Sequence, residues 1–137
     1  NHVIFTHPVY SLPGCFREDR PAIGHDNPDY YRGAVIALVD GNTISQAEYT
    51  AMTVQALPRG LTVGSTTLGA DGNIAEIPLP GGYKTLISSL GVYYPDGSET
   101  QRCGVRIDHW AEPTPEGLLA GRDEVLEAAI RIAESML

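Results

Sequence analysis

Positive charge is scarce in this chain. Nine Lys and Arg, only one of them lysine, stand against 17 Asp and Glu in 137 residues, for a formal net charge of −8. The cations are scattered along the sequence, which argues against nucleic acid or an anionic membrane surface as a partner, because phosphate binding needs clustered cations. Long apolar runs are lacking too. No stretch approaches the ~20 residues of a membrane span, and we expect no signal peptide within these residues. Cysteine is nearly absent: Cys15 and Cys103 lie far apart without Cys-x-x-Cys spacing. They make neither a zinc site nor a disulfide framework, and stand as two unpaired thiols or one incidental bridge. There is no His-x-x-x-His pair and the carboxylates are dispersed, so neither a metal nor a cofactor is expected. The chain opens on Asn1 rather than Met, from which we expect a mature or excised piece of something longer.

What is present suffices for one folded domain. The hydrophobic content is 42%, and the length allows one proper core but not two. Residues 1–32 read as an irregular, Pro- and Gly-rich lead-in, with Val3-Ile4-Phe5 as a short strand at its start. Residues 33–137 carry the regular pattern. An apolar run over 34–39 predicts a strand covered on both faces. A helix follows over 44–57, with Ile44, Ala47, Ala51 and Val54 on one stripe, ending before Pro58. Leu61-Thr62-Val63 is the next strand, which completes a βαβ unit with parallel strands. Strands are then expected over 73–79, 83–94 and 105–110, the first two ending at Pro80-Gly81-Gly82 and Pro95-Asp96-Gly97. A last helix runs from Asp123, its N-cap, to about Met136, with Leu126, Ala129, Ile130 and Ala133 on one stripe. The fold class is α/β.

Ser45 sits at the switch from the first strand to the first helix, with Glu48 three residues later. Ser-x-x-Glu before an apolar pattern is a capping box, and this accounts for both residues. Thr43 is an alternative cap, which would free Ser45. A serine in the first helical turn also lies among amides without intrahelical partners, at the positive end of the helix dipole. There it can act as a nucleophile whose oxyanion is held by the amide of Gln46, provided a base is at hand. Spacing alone does not choose.

Four stretches bear on the choice: "GAVIALVDGNTISQAEYTAM", "LTVGSTTLGADGNIAEIPLPGG", "LGVYYPDGSETQRCGV" and "PTPEGLLAGRDEVLEAA". In this order and spacing they resemble the catalytic core of the S41 peptidases, the C-terminal processing (tail-specific) proteases and the tricorn protease core. The resemblance covers residues 33 to about 135. It implies a partial ClpP/crotonase-like α/β core, a serine-type peptidase function, Ser45 as nucleophile and Gln46 as an oxyanion amide. The processing proteases place a lysine base where this chain has Ala70, inside Leu68-Gly69-Ala70-Asp71-Gly72, and the single lysine, Lys84, lies in another strand. The resemblance is therefore to the tricorn-like branch, whose base is an upstream histidine. A late carboxylate or amide orients that network, and Glu99 or Gln101 is the candidate here. The glycine-rich turn that gives the family's second oxyanion donor has no counterpart before residue 33. The upstream part of the same protein is thus expected as a partner, and this chain by itself is expected to be inactive.

Of the histidines, His2, His7 and His25 fall in the lead-in and His109 in a late strand, and each reads first as a surface residue. A polypeptide substrate is expected along the edge from Gly64 to Asp71, adding as a strand, with Gly69, Ala70 and Asp71 against it. Two other functions fit less. A non-catalytic binding module of the same fold is consistent with the missing lysine. A crotonase-type acyl-thioester enzyme would use Glu48, but no basic patch suits a nucleotide phosphate. A homo-oligomer and a periplasmic or extracellular location are expected from the resemblance alone.

Overall fold

The computed structural model describes residues 4–9, 11–21 and 24–137. His2, and Val3 of the expected first strand, lie outside the described residues. Along the chain run β1 (Ile4–Pro8), β2 (Phe16–Asp19), β3 (Val35–Val39), α1 (Gln46–Gln55), β4 (Gly60–Gly64), β5 (Ile74–Pro78), β6 (Lys84–Ser88), β7 (Gly91–Tyr93), β8 (His109–Trp110), α2 (Pro115–Leu119) and α3 (Glu124–Ser135).

β3, β4 and β8 form a parallel sheet in that order, with α1 as the crossover between the first two. The βαβ unit is therefore as the sequence predicts. The strand covered on both faces, however, is β4 rather than β3. Thr62 and Val63 point to opposite sides of the sheet and both are fully buried, while Leu38 in β3 is 43% exposed. β4 is the central strand and β3 an edge, which explains the difference. α1 and α3 both pack on β3 and β4. Val39, Ala51, Met52, Val92, Tyr94 and Val105 make the core cluster.

The lead-in is more regular than its Pro and Gly content suggests. β1 and β2 pair antiparallel, and β1 also pairs with β7, so the start of the chain joins a sheet with residues from its middle. The expected single strand over 83–94 is two strands in two sheets. β6 pairs with β5, β7 pairs with β1, and the chain breaks where Ser89 turns its amide and hydroxyl to the Asn73 carbonyl. The expected strand over 105–110 shrinks to β8 for a similar reason. Val105 N–H donates to Thr67 Oγ1, Arg106 N–H to Tyr94 Oη and Asp108 N–H to Thr62 Oγ1, at 2.9–3.1 Å. Side chains satisfy these backbone groups, so no ladder is needed.

Both long helices are shifted from expectation. α1 buries Glu48, Ala51 and Met52, whereas Ile44 and Ala47 are exposed. In α3 Asp123 caps as predicted, its Oδ1 accepting from Leu126 N–H at 2.9 Å. Its inward face is centred on Ala129, and Leu126 and Ile130 are exposed. α2 was not expected from the pattern, although Thr114-Pro115 is a sound start: Thr114 Oγ1 accepts from Gly117 N–H, with Pro at the first helical position. A large apolar surface is left open on the β5–β6 hairpin, where Ile74 is 68% and Leu86 60% exposed. Cys15 and Cys103 are both free and exposed. Among the described residues no helix is long and apolar enough to cross a membrane.

Candidate active site

The turn from β3 into α1 is built on Asp40. Its carboxylate accepts from Asn42 N–H at 2.9 Å and from the Asn42 side chain, and these bonds hold the Asp40 carboxyl below its ordinary range. Thr43 Oγ1 accepts from Asp40 N–H at 3.0 Å. Thr43, the alternative cap, therefore closes this turn rather than capping the helix. Ser45 is the N-cap.

Ser45 has φ 56° and ψ −119°. A side chain at positive φ is strained, and such residues cluster where function holds them in place. This backbone also explains why α1 starts at Gln46 and not at Ile44. Glu48 Oε2 accepts from Ser45 N–H at 3.1 Å. The Ser45 hydroxyl faces the Glu48 amide in capping-box fashion, but closes no cap hydrogen bond of ordinary geometry. Gln46, at the first helical position, has no intrahelical acceptor for its amide.

Glu48 does more than cap. Its side chain is wholly buried, and its two oxygens take four donors. Oε1 accepts from Thr67 Oγ1 at 2.6 Å and Gly69 N–H at 2.7 Å, and Oε2 from Ala70 N–H at 2.9 Å as well as from Ser45. One carboxylate thus fixes the backbone of Ser45 to the loop that follows β4. Nothing in a single sequence links Glu48 to residues 67–70; only its place in the first turn was legible.

That loop is packed tightly against the turn at 99–104. Gly69 lies at φ +69°, and a Cβ there would come within about 3 Å of the Arg102 backbone; Arg102 N–H donates to Gly69 O at 2.6 Å. At Gly72, φ +111°, a Cβ would meet Leu90 O at 2.8 Å. Close backbone approach is the reason for both glycines. The amides of Ser65, Leu68, Gly69 and Ala70 all have internal acceptors, as does the Gly69 carbonyl a donor. These four amides are engaged within the chain, so a strand added along 64–71 would have to pair with the other groups of the segment. Gly69, Ala70 and Asp71 also line an open groove together with residues 88–91.

Ser45, Gln46, Tyr49, Asp71 and Gly72 line a cleft of about 90 Å³ together with Phe5, which stacks on Tyr49 at 5.8 Å. Asp71 is 5% exposed. Its Oδ1 accepts from Gly72 N–H at 2.7 Å, whereas its Oδ2 is buried with no hydrogen-bond partner. Burial raises the Asp71 pKa, the Gly72 amide opposes the rise, and the charge of Glu48 adds to it. Folded Asp71 therefore binds its proton more tightly than unfolded Asp71. The penalty is absent below the ordinary value of 3.8 and grows as pH rises through the folded value. Asp71→Asn keeps the Oδ1 acceptor and removes the charge. The amide placed at the Oδ2 position is itself unpartnered, at a cost that does not depend on pH, so the relief of charge shows as a difference between pH values. We expect the substitution to be more favourable at pH 7 than below 3.8 by roughly 1 kcal/mol or more, as urea denaturation at the two pH values would show. An effect of equal size at both, or one less favourable at pH 7, would contradict it.

The other candidates are dispersed. Gln101 Nε2 donates to Asp71 O at 2.8 Å and Leu90 O at 2.7 Å, so it braces the backbone beside the cleft. Glu99 faces solvent, 3.8 Å from Arg102. His7 Nε2 is buried, 3.9 Å from Asp19 Oδ2, while His25 and His109 are exposed. None of these three lines the Ser45 cleft. Lys84 pairs with Glu76 at 2.5 Å on the β5–β6 hairpin. The two features missed from sequence, the fourfold-bonded Glu48 and the unpartnered Asp71 oxygen, both depend on long-range contacts.

A model of peptidase family S41 matches residues 15–110. No curated protein matches the chain. Among solved structures, a protein described as a peptidase from Parabacteroides merdae has a TM-score of 0.71 at 24% identity, over 86% of this chain and 36% of its own. The tricorn protease has 0.65 at 23% identity, over 85% of this chain and 13% of its own. Mature CPAF complexed with lactacystin has 0.63 at 20% identity, over 80% and 21%. At these identities the likeness is one of fold, and this chain spans 36% or less of each of the three.

Proposed function

This chain belongs to peptidase family S41, and from that premise we propose that it carries the nucleophile of a serine endopeptidase, with Ser45 attacking the scissile carbonyl. The observation that carries the reading is Ser45 itself. It is held at positive φ at the start of α1, and it opens on a cleft. As Ser45 Oγ bonds to the carbonyl carbon, charge develops on the carbonyl oxygen, and the Gln46 amide with the helix dipole opposes that charge. The Ser45 proton must pass to a base, and neither Ala70 nor any described histidine in place serves. We assign base and second oxyanion donor to the rest of the full protein, with a histidine in the base role. Together a base and one oxyanion donor are worth roughly 10⁴–10⁷ in rate, so this chain alone turns over little. Gly69, Ala70 and Asp71 border the path of a polypeptide substrate, and the setting is the cell envelope or beyond it.

A second reading rests on Ala70. With no side-chain base at that position, the fold could serve as a peptide- or ligand-binding module. Active-site labelling separates the two. A fluorophosphonate probe should modify Ser45 in the full protein, located by mass spectrometry, and modify nothing in Ser45→Ala. No adduct on Ser45 in the folded full protein leaves the binding module.

A further inference from the structure

We propose that Asp71 is the carboxylate that orients the base of this site: its free Oδ2 takes the N–H of an imidazole seated in the cleft between Asp71 and Ser45. This rests on Ser45 being the nucleophile. Asp71 is then a positioning residue, a role for which only Glu99 and Gln101 stood as candidates.

Three observations lead there. First, Oδ2 is buried without a partner in a side chain that is 5% exposed, while Oδ1 is already satisfied by Gly72. An ionised carboxylate oxygen removed from water calls for an N–H or O–H donor. Second, Asp71 lines the cleft that Ser45 opens on, whose volume is about 90 Å³. One water needs about 10–15 Å³ of such space, so the cleft has room for several waters and for a five-membered ring.

The third observation concerns charge. Asp71 lines the same cleft as Gln46, whose amide is the proposed oxyanion donor. A fixed negative charge there opposes the reaction unless positive charge appears between the two at the same moment. Imidazole does this: neutral at rest, it becomes cationic as it takes the Ser45 proton, and a carboxylate on its other N–H stabilises that cation. The lysine that plays this part in the processing proteases is replaced here by Ala70. Glu48, the other acidic group near the cleft, is fully engaged by its four donors. Gln101, through the Asp71 carbonyl, holds the carboxylate's backbone in register.

The proposal can be tested on this chain with free imidazole as the base. Fluorophosphonate labelling of Ser45 is followed with and without imidazole, and with 1-methylimidazole, which has a basic nitrogen but no N–H to give. In each case Oγ bonds to phosphorus, fluoride leaves, and the Ser45 proton ends on the added base. Imidazole should accelerate labelling at least about tenfold over 1-methylimidazole, part of the 10²–10⁴ that a positioned base supplies. In Asp71→Asn the two bases should act alike, and Asp71→Glu should recover part of the difference. Equal acceleration by both bases in the native chain, or an undiminished imidazole advantage in Asp71→Asn, overturns the proposal and leaves Ser45 a nucleophile. Labelling that never occurs, here or in the full protein, removes the peptidase reading itself.

Discussion

Replacing Ser45 by alanine will lower peptide hydrolysis by the full protein by about 10⁴-fold or more, the scale set by removing a serine nucleophile. The same substitution will change stability little. Alanine keeps the strain at φ 56° and removes a hydroxyl that closes no cap hydrogen bond of ordinary geometry, so the loss of capping is at most about 1 kcal/mol. Ser45→Gly separates chemistry from fold more sharply. Glycine adopts this backbone freely, and the relief of about 1–3 kcal/mol of strain should make the glycine variant at least as stable as the native protein, though equally inactive. Hydrolysis of an unstructured protein substrate and urea denaturation give both numbers. Activity within tenfold of native in a folded Ser45→Ala variant would remove Ser45 from the mechanism.

The largest effect on folding is expected at Glu48. Alanine there strands the Thr67 hydroxyl and the amides of Ser45, Gly69 and Ala70. Each buried donor left unpaired costs about 1–3 kcal/mol, so a loss of about 4 kcal/mol or more is expected against a typical total of roughly 5–15 kcal/mol. Glu48→Gln should be nearly as damaging. Its amide nitrogen would face two N–H donors where a carboxylate oxygen now accepts, whereas the same change on an exposed helix face is close to neutral. The shift in urea midpoint measures both variants. A drop of under 1 kcal/mol in Glu48→Ala would mean that water replaces the carboxylate and that the loop is held by other contacts.

The parts of this fold legible in the sequence are those governed by local rules. The βαβ unit followed from an apolar run, a helical period and Pro58, and the Asp123 cap from the residue type. Ser45 was singled out by its position and by resemblance. What could not be read was set by partners distant in the chain. Residues 105–108 have strand composition, yet Thr62, Thr67 and Tyr94 satisfy their backbone. The lead-in looked irregular because its strands find their ladder partly in β7. The stripe of α1 was misplaced by about one residue because a buried glutamate counts as polar in any pattern, although here its donors make it part of the interior. Asp71 was named beside the substrate, but its unpartnered oxygen is a fact of packing.

The way Glu48 is bonded also bears on motion. The same two oxygens hold the first turn of α1 and the wall of the cleft, so neither can open while the other stays shut. Amide hydrogen exchange at Ser45, Gly69 and Ala70 would then proceed through one shared opening event rather than three separate ones. Any widening of the cleft would then come from the side of Phe5 in β1, while the serine and the loop facing it keep a constant separation.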